Sequence, residues 1–155
     1  MASSSRNETE VYDEVRRCWV RATPEEKVRQ WWIQRMIHQL GFPRELIVVE
    51  KELKELPHLQ HLNPPDRRLD ILCYSRDLHP LLLIECKQSG AKTCQNFLDR
   101  ALEQVIGYND CVQASFIAIA CDAEIRVGCR ERSSSRYIFG NALPQYQELI
   151  EWVKR

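Results

Sequence analysis

Residues Arg67–Lys87 read RRLDILCYSRDLHPLLLIECK. Two apolar runs of strand length, Leu69–Tyr74 and Leu81–Cys86, flank a polar connection containing Asp77 and Pro80, which is the pattern of a β-hairpin. Pairing the runs about the middle of that connection sets Tyr74 opposite Leu81 and Asp70 opposite Glu85. Opposed residues share a face and sit close together. Lys87 lies two residues beyond Glu85 and returns to the same face. The hairpin therefore gathers two carboxylates and an ammonium among runs apolar enough to be core strands. Charges in that setting need pairing or a metal.

Both solutions suit the residues. In one, Lys87 bridges Asp70 and Glu85 as a buried ion pair. In the other, the carboxylates give hard oxygen ligands to Mg²⁺, which takes one or two protein carboxylates and keeps its other positions for water and phosphate. Such a metal lowers the pKa of bound water, and the lysine orients that water or neutralises developing charge. An E-x-K triplet alone recurs on many strand surfaces. Its place at the end of a core strand, beside a second strand bearing the aspartate, is what gives it weight.

RLDILCY followed by LLLIECK resembles the PD-(D/E)XK nuclease superfamily, and in particular the nuclease domain at the N-terminus of type I restriction enzyme R subunits. The resemblance continues in TPEEKVRQ (Thr23–Gln30), LGFPRELIVVEKEL (Leu40–Leu53) and QVIGYN (Gln104–Asn109), and covers the chain from Val15 to Asp122. It implies a restriction-endonuclease-like α/β fold with a mixed central sheet flanked by helices. It also implies hydrolysis of DNA phosphodiester bonds with Mg²⁺ or Mn²⁺. Asp70 and Glu85 would hold the metal, with the Cys86 carbonyl as a further ligand and Lys87 acting on the attacking water. Gln104 and Tyr108 match a Gln-x-x-x-Tyr motif taken to support the site and contact DNA. Many superfamily members carry an extra carboxylate on the first helix, here Glu26. Leu69 precedes Asp70 where the motif has proline. No G-x-x-x-x-G-K-[ST] loop occurs in the sequence, so the chain is expected to act without the helicase motor of R subunits. The competing expectation is a non-cleaving module that keeps the fold and binds nucleic acid or protein as a regulator.

The 155 residues have room for one domain with a real core. Residues 11–155 are read as that single domain, and the polar, Ser-rich Met1–Glu10 as a disordered N-terminus. Hydrophobic content of 44% and charged content of 28% are ordinary for a globular protein. No apolar run approaches a membrane span and no signal-peptide core is present, so a cytoplasmic location is expected. Seven cysteines form no C-x-x-C pair, which argues for reduced thiols rather than zinc. His58 and His61 lie in a Pro-flanked connection and read as loop residues. Formal net charge is zero, whereas a protein gripping DNA unaided usually presents a basic surplus. A homo-oligomer or a partner subunit is therefore expected to help, with Trp19 and Trp152 as contact surface.

Val11–Arg21 reads as a short strand or extended arm. Thr23-Pro-Glu-Glu signals a helix start, with Glu26 closing a capping box. Val28, Trp32, Ile33, Met36, Ile37 and Leu40 form its stripe, and Gly41 with Pro43 ends it. Glu26 and Gln30, one turn apart, are expected to face the charged hairpin. Leu46–Leu53 reads as the first core strand, with Glu50 either a third carboxylate at the site or an outward charge. Glu55–Asp66 is a loop, and the polar Gln88–Thr93 another, suited to cover a site. Asn96–Cys111 reads as a helix with Phe97, Ala101, Leu102, Val105 and Tyr108 on one face. Ser115–Cys121 is a buried strand of the parallel type. Glu124–Arg130 and Arg136–Phe139 form a second hairpin, and Leu143–Val153 a closing amphipathic helix.

Overall fold

A computed structural model of the chain describes residues 9–88 and 94–155. Two expectations fall partly outside them: the disordered N-terminus as far as residue 8, and the covering loop from residue 89. The side chain of Phe97 lies outside as well. Glu10, assigned above to the disordered segment, opens a strand.

The chain runs β1 (Glu10–Asp13), β2 (Cys18–Arg21), α1 (Pro24–His38), β3 (Ile47–Glu52), β4 (Arg68–Tyr74), β5 (Pro80–Lys87), α2 (Cys94–Val112), β6 (Phe116–Cys121), β7 (Glu124–Arg130), β8 (Tyr137–Gly140) and α3 (Tyr146–Lys154). Strands β3 to β8 form one six-stranded sheet in sequence order. Every neighbouring pair is antiparallel except β5 and β6, which run parallel. A parallel pair needs a crossover, and α2 supplies it. The sheet is mixed and helix-flanked, as the sequence led one to expect.

Helices cover both faces. Val28, Trp32, Ile33 and Met36 of α1 pack with Leu149 of α3 against Ile71, Ile84 and Ala118 of the sheet. Ala101, Val105 and Tyr108 of α2 pack against Leu72, Leu83 and Ile117 on the other face. Leu53, Leu56 and Leu59, from the connection after β3, close that second layer. Two apolar layers around one sheet give a three-layer α/β sandwich.

Local chemistry explains the element ends. The Thr23 hydroxyl accepts the Glu26 backbone N–H at 3.1 Å, and Pro24 sits at the first helical position, where its missing N–H costs nothing. The Glu26 side chain does not return this bond. It is taken up by Arg16, Arg29 and Gln30, so the capping box is only half made. At the other end Gly41 adopts φ 71°, and the Phe42 N–H reaches back to the Met36 carbonyl at 3.0 Å.

The extended arm is a true hairpin, with Tyr12 opposite Trp19 and Asp13 opposite Cys18. The central hairpin keeps its expected register in the middle, with Ile71 opposite Ile84 and Leu72 opposite Leu83. Near the turn it slips, so that Tyr74 faces Pro80 rather than Leu81. A bulge there absorbs the extra residue of the loop.

Candidate active site

The β4–β5 pairing ends at Ile71 with Ile84, and just beyond it the side chains of Asp70 and Glu85 come close enough to interact. Across β3, Val49 faces Ile71 and Lys51 faces Leu69, so Glu50 falls level with Asp70. Glu50 adopts φ 55°, a left-handed conformation costly for a residue with a Cβ. Three carboxylates thus line up across three neighbouring strands. Asp70 and Glu85 are only 6% and 5% exposed.

Each carboxylate has defined partners. Asp70 Oδ2 accepts the Cys86 backbone N–H at 2.7 Å, tying β4 to β5 beside the site. Its Oδ1 accepts Arg29 Nη2 at 2.6 Å. The same Nη2 lies 2.5 Å from Glu50 Oε1, while Nη1 pairs with Glu26. Glu85 Oε1 takes Lys87 Nζ at 2.8 Å. Arg68 approaches the other Glu50 oxygen from the exposed side at 3.4 Å.

The electrostatics follow from this packing. Burial and the neighbouring charge of Asp70 push the Glu85 carboxyl up to about 7, although the hydrogen bond and charge of Lys87 pull it back. Burial disfavours the Lys87 ammonium, but its bond to Glu85 raises it overall. Burial likewise opposes the Arg29 charge, and Asp70, Glu50 and Glu26 outweigh that and hold it firmly protonated. Desolvation by burial stands first in raising the Cys86 thiol far above its usual range, so its side chain is an inert core group.

First-helix geometry revises one expectation. Glu26 and Gln30 do not face the β4–β5 carboxylates. Their amide and carboxylate turn to the β1–β2 hairpin, where Gln30 Nε2 bonds Asp13 Oδ2 at 2.9 Å and Glu26 Oε1 at 2.8 Å. The acid on the site's side is Glu25, one turn before Arg29 on the same helical face. Surrounding protein and the charge of Asp70 raise its carboxyl, with Lys87 and Arg29 pulling the other way. The signal that could have found it was the i, i+4 spacing of Glu25 with Arg29. Arg29 itself was missed. An arginine on the same helix as an acidic first turn was visible in the sequence, but nothing there said that it was buried or which face met the sheet.

Gln104 and Tyr108 come together on α2, Gln104 Nε2 donating to the Tyr108 hydroxyl at 2.7 Å. Their bond is to one another rather than to the carboxylates, and the Tyr108 ring packs into the α2 layer beneath the Arg67 guanidinium, 5.8 Å from its centre. His58 bonds the Val112 carbonyl at 3.1 Å. Among the described residues no three His, Cys, Asp or Glu side chains form a metal cage.

A dication nevertheless fits the donor set. Asp70 and Glu85 are adjacent hard oxygen donors, a number Mg²⁺ accepts. Eight carboxylates, Asp13, Glu25, Glu26, Glu50, Glu52, Asp66, Asp70 and Glu85, meet five cations, Arg16, Arg29, Lys54, Arg68 and Lys87, in this connected cluster. The surplus is negative, and the charge of Asp70 adds to burial in raising the Glu85 carboxyl.

Fold and site together define a helix-flanked mixed α/β domain with an acidic, lysine-bearing centre on adjoining core strands. Residues 24–144 match the family described as Type I restriction enzyme R protein N terminus (HSDR_N), and the chain belongs to that family. Among solved structures it is similar to the fragment structure of a protein assigned as an HsdR subunit of a type I restriction enzyme from Vibrio vulnificus YJ016. That match has a TM-score of 0.55 and 14% identity, over 83% of this chain and 25% of the other. The chain thus spans a quarter of that structure's length. No curated protein matches it.

Proposed function

We propose that this domain is a metal-dependent nuclease that hydrolyses DNA phosphodiester bonds. The observation that carries the reading is the buried pair Asp70 and Glu85 on adjoining strands, with Lys87 held 2.8 Å from Glu85. Family membership supports DNA as substrate and the subunits of a type I restriction system as partners.

Asp70 and Glu85 would hold Mg²⁺ or Mn²⁺, with the Cys86 carbonyl beside them. When bound, the cation polarises a phosphoryl oxygen and acidifies a water. Lys87 is anchored by Glu85 and only partly buried, so its ammonium can orient the attacking water and balance charge on the phosphorus. Glu25 adds a carboxylate on the open side. Gln104 and Tyr108 lock one another on α2 and support the layer under β5.

Cleavage of duplex, single-stranded and branched DNA with Mg²⁺ and with Mn²⁺ tests this. Wild type is expected to cut at low salt, and Lys87→Ala to lose about 100-fold or more in rate while binding Mn²⁺ nearly as well. Undiminished cutting by Lys87→Ala would remove the mechanism. A second reading, a binding module that keeps the fold without cutting, is favoured by one observation. Arg29 already sits as a cation between Asp70 and Glu50. Absence of cleavage on every substrate, with DNA binding retained, would select it.

A further inference from the structure

Arg29 is 5% exposed, and one of its nitrogens, Nη2, lies where Asp70 and Glu50 converge, 2.6 and 2.5 Å from their oxygens. That is the position of a cation shared by two carboxylates. Nη1 is anchored differently. It pairs with Glu26, whose other oxygen is itself held by Arg16 at 2.7 Å and Gln30 at 2.8 Å. Arg16 in turn is fixed by Asp13, which is fully buried and also accepts the Val15 and Arg16 backbone N–H groups at 2.8 Å. A continuous chain of charge pairs thus runs from the β1–β2 hairpin through Glu26 and Arg29 to Asp70. One half of the guanidinium is clamped at the far end of that chain, and the other half sits among the carboxylates. Its Nε is buried with no hydrogen-bond partner, so the guanidinium is not fully satisfied where it lies.

We propose that Arg29 is the resident cation of the site, holding Asp70 and Glu50 in place of a metal, and that a divalent cation binds by displacing its guanidinium from Asp70 while Glu26 retains it. The inference rests on the metal-dependent reading above and deepens it. Metal binding becomes an exchange of one cation for another, and the Asp13–Arg16–Glu26 chain is the holder that keeps the displaced arginine in the protein. Lys87 cannot play this part, because its partner is Glu85. Arg29 is then a positioning residue, acting on the metal's affinity through Asp70.

Calorimetric titration with Mn²⁺ and thermal melting in EDTA test the exchange. Arg29→Gln is expected to bind Mn²⁺ about tenfold tighter than wild type and to melt several degrees lower in EDTA, since Asp70 and Glu50 then lack their counter-cation. Arg16→Gln removes the same charge two ion pairs further from Asp70 and is expected to change Mn²⁺ affinity less than twofold. If Arg29→Gln does not fold, Arg29→Lys carries the comparison. It keeps the charge but loses the two-armed reach, and is expected to bind Mn²⁺ several-fold tighter than wild type. Affinity unchanged or weakened in the folded Arg29 variant, or strengthened equally by Arg16→Gln, overturns the inference and leaves the nuclease reading standing. Mn²⁺ binding by the Arg29 variant but not by wild type supports it. Binding by neither protein overturns both.

Discussion

Glu85 carries the most perturbed carboxyl of the site, and its sign can be worked through to a measurement. Its folded value of about 7 lies above the ordinary 4.5, so between those values the folded state binds more protons than the unfolded one. Stability from this group is present in full below the unfolded value and is lost as pH rises through about 7. Glu85→Gln removes the charge that burial and Asp70 oppose. In EDTA at pH 8 it is expected to melt several degrees above wild type, with the gap closing toward pH 5. Mg²⁺ should raise the wild-type melting temperature by linkage and barely move the variant. A variant that gains as much from Mg²⁺ as wild type would show that Glu85 is not a ligand. At this scale Asp70, Glu85 and Lys87 were legible because strand alternation alone sets their common face. Glu25 against Glu26 was not. Adjacent helical residues differ by about 100° around the axis, and only the docking of α1 decides which acid meets the sheet. The left-handed turn at Glu50 was equally hidden, since glutamate carries no signal for positive φ.

Among the elements, the β1–β2 hairpin is the one whose purpose the sequence concealed. Four residues per strand with loose alternation give little to read, and a two-stranded ribbon is marginal alone. It persists here because Asp13 ties its turn and its partner helix together. Burial works against the Asp13 charge, yet hydrogen bonds from Arg16 and Gln30 outweigh it and hold the carboxyl below its usual value. That contribution is present above the unfolded value and is lost as pH falls through the folded one. Asp13→Ala leaves two backbone N–H groups and Arg16 Nε without their acceptor, and Gln30 with Glu26 alone. A cost of about 2 kcal/mol, or roughly 5 °C in a domain of this size, is expected. Hydrogen exchange should rise first in residues 10–21. Unchanged protection there would mean that the hairpin is held by something other than Asp13. The helices were easier. Thr23, Pro24 and Gly41 marked α1 from both ends because capping is local chemistry, and α3 was marked by its apolar spacing.

For the whole molecule, the alternation of helical and strand patterns was enough to give a helix-flanked mixed sheet, since few topologies bury both faces. On the proposed reading, what the chain offers DNA is set by charge rather than by fold. Lysine and arginine number 22, balanced by 22 acids. Structure removes more from use, because Arg16, Arg29, Arg68, Lys54 and Lys87 are engaged by carboxylates of the chain itself. Among neighbouring arginines, Arg16 is tied to Asp13 and Glu26, Arg68 approaches Glu50 and Glu52, and Arg67 lies over the Tyr108 ring. Affinity built on phosphate neutralisation scales with the number of free cations, as does its loss with salt. The isolated domain is expected to bind a short duplex weakly, at about 50 mM salt but scarcely at about 150 mM, with a shallow slope corresponding to a few phosphates. Fluorescence anisotropy in EDTA, with cleavage suppressed, measures both quantities. Exposed Trp19 and Trp152 are where added grip from a second subunit would register, as a change in tryptophan emission on complex formation. Tight binding at physiological salt by a strictly monomeric protein would show that the free arginines converge on one groove, and that charge balance is a poor guide to its reach.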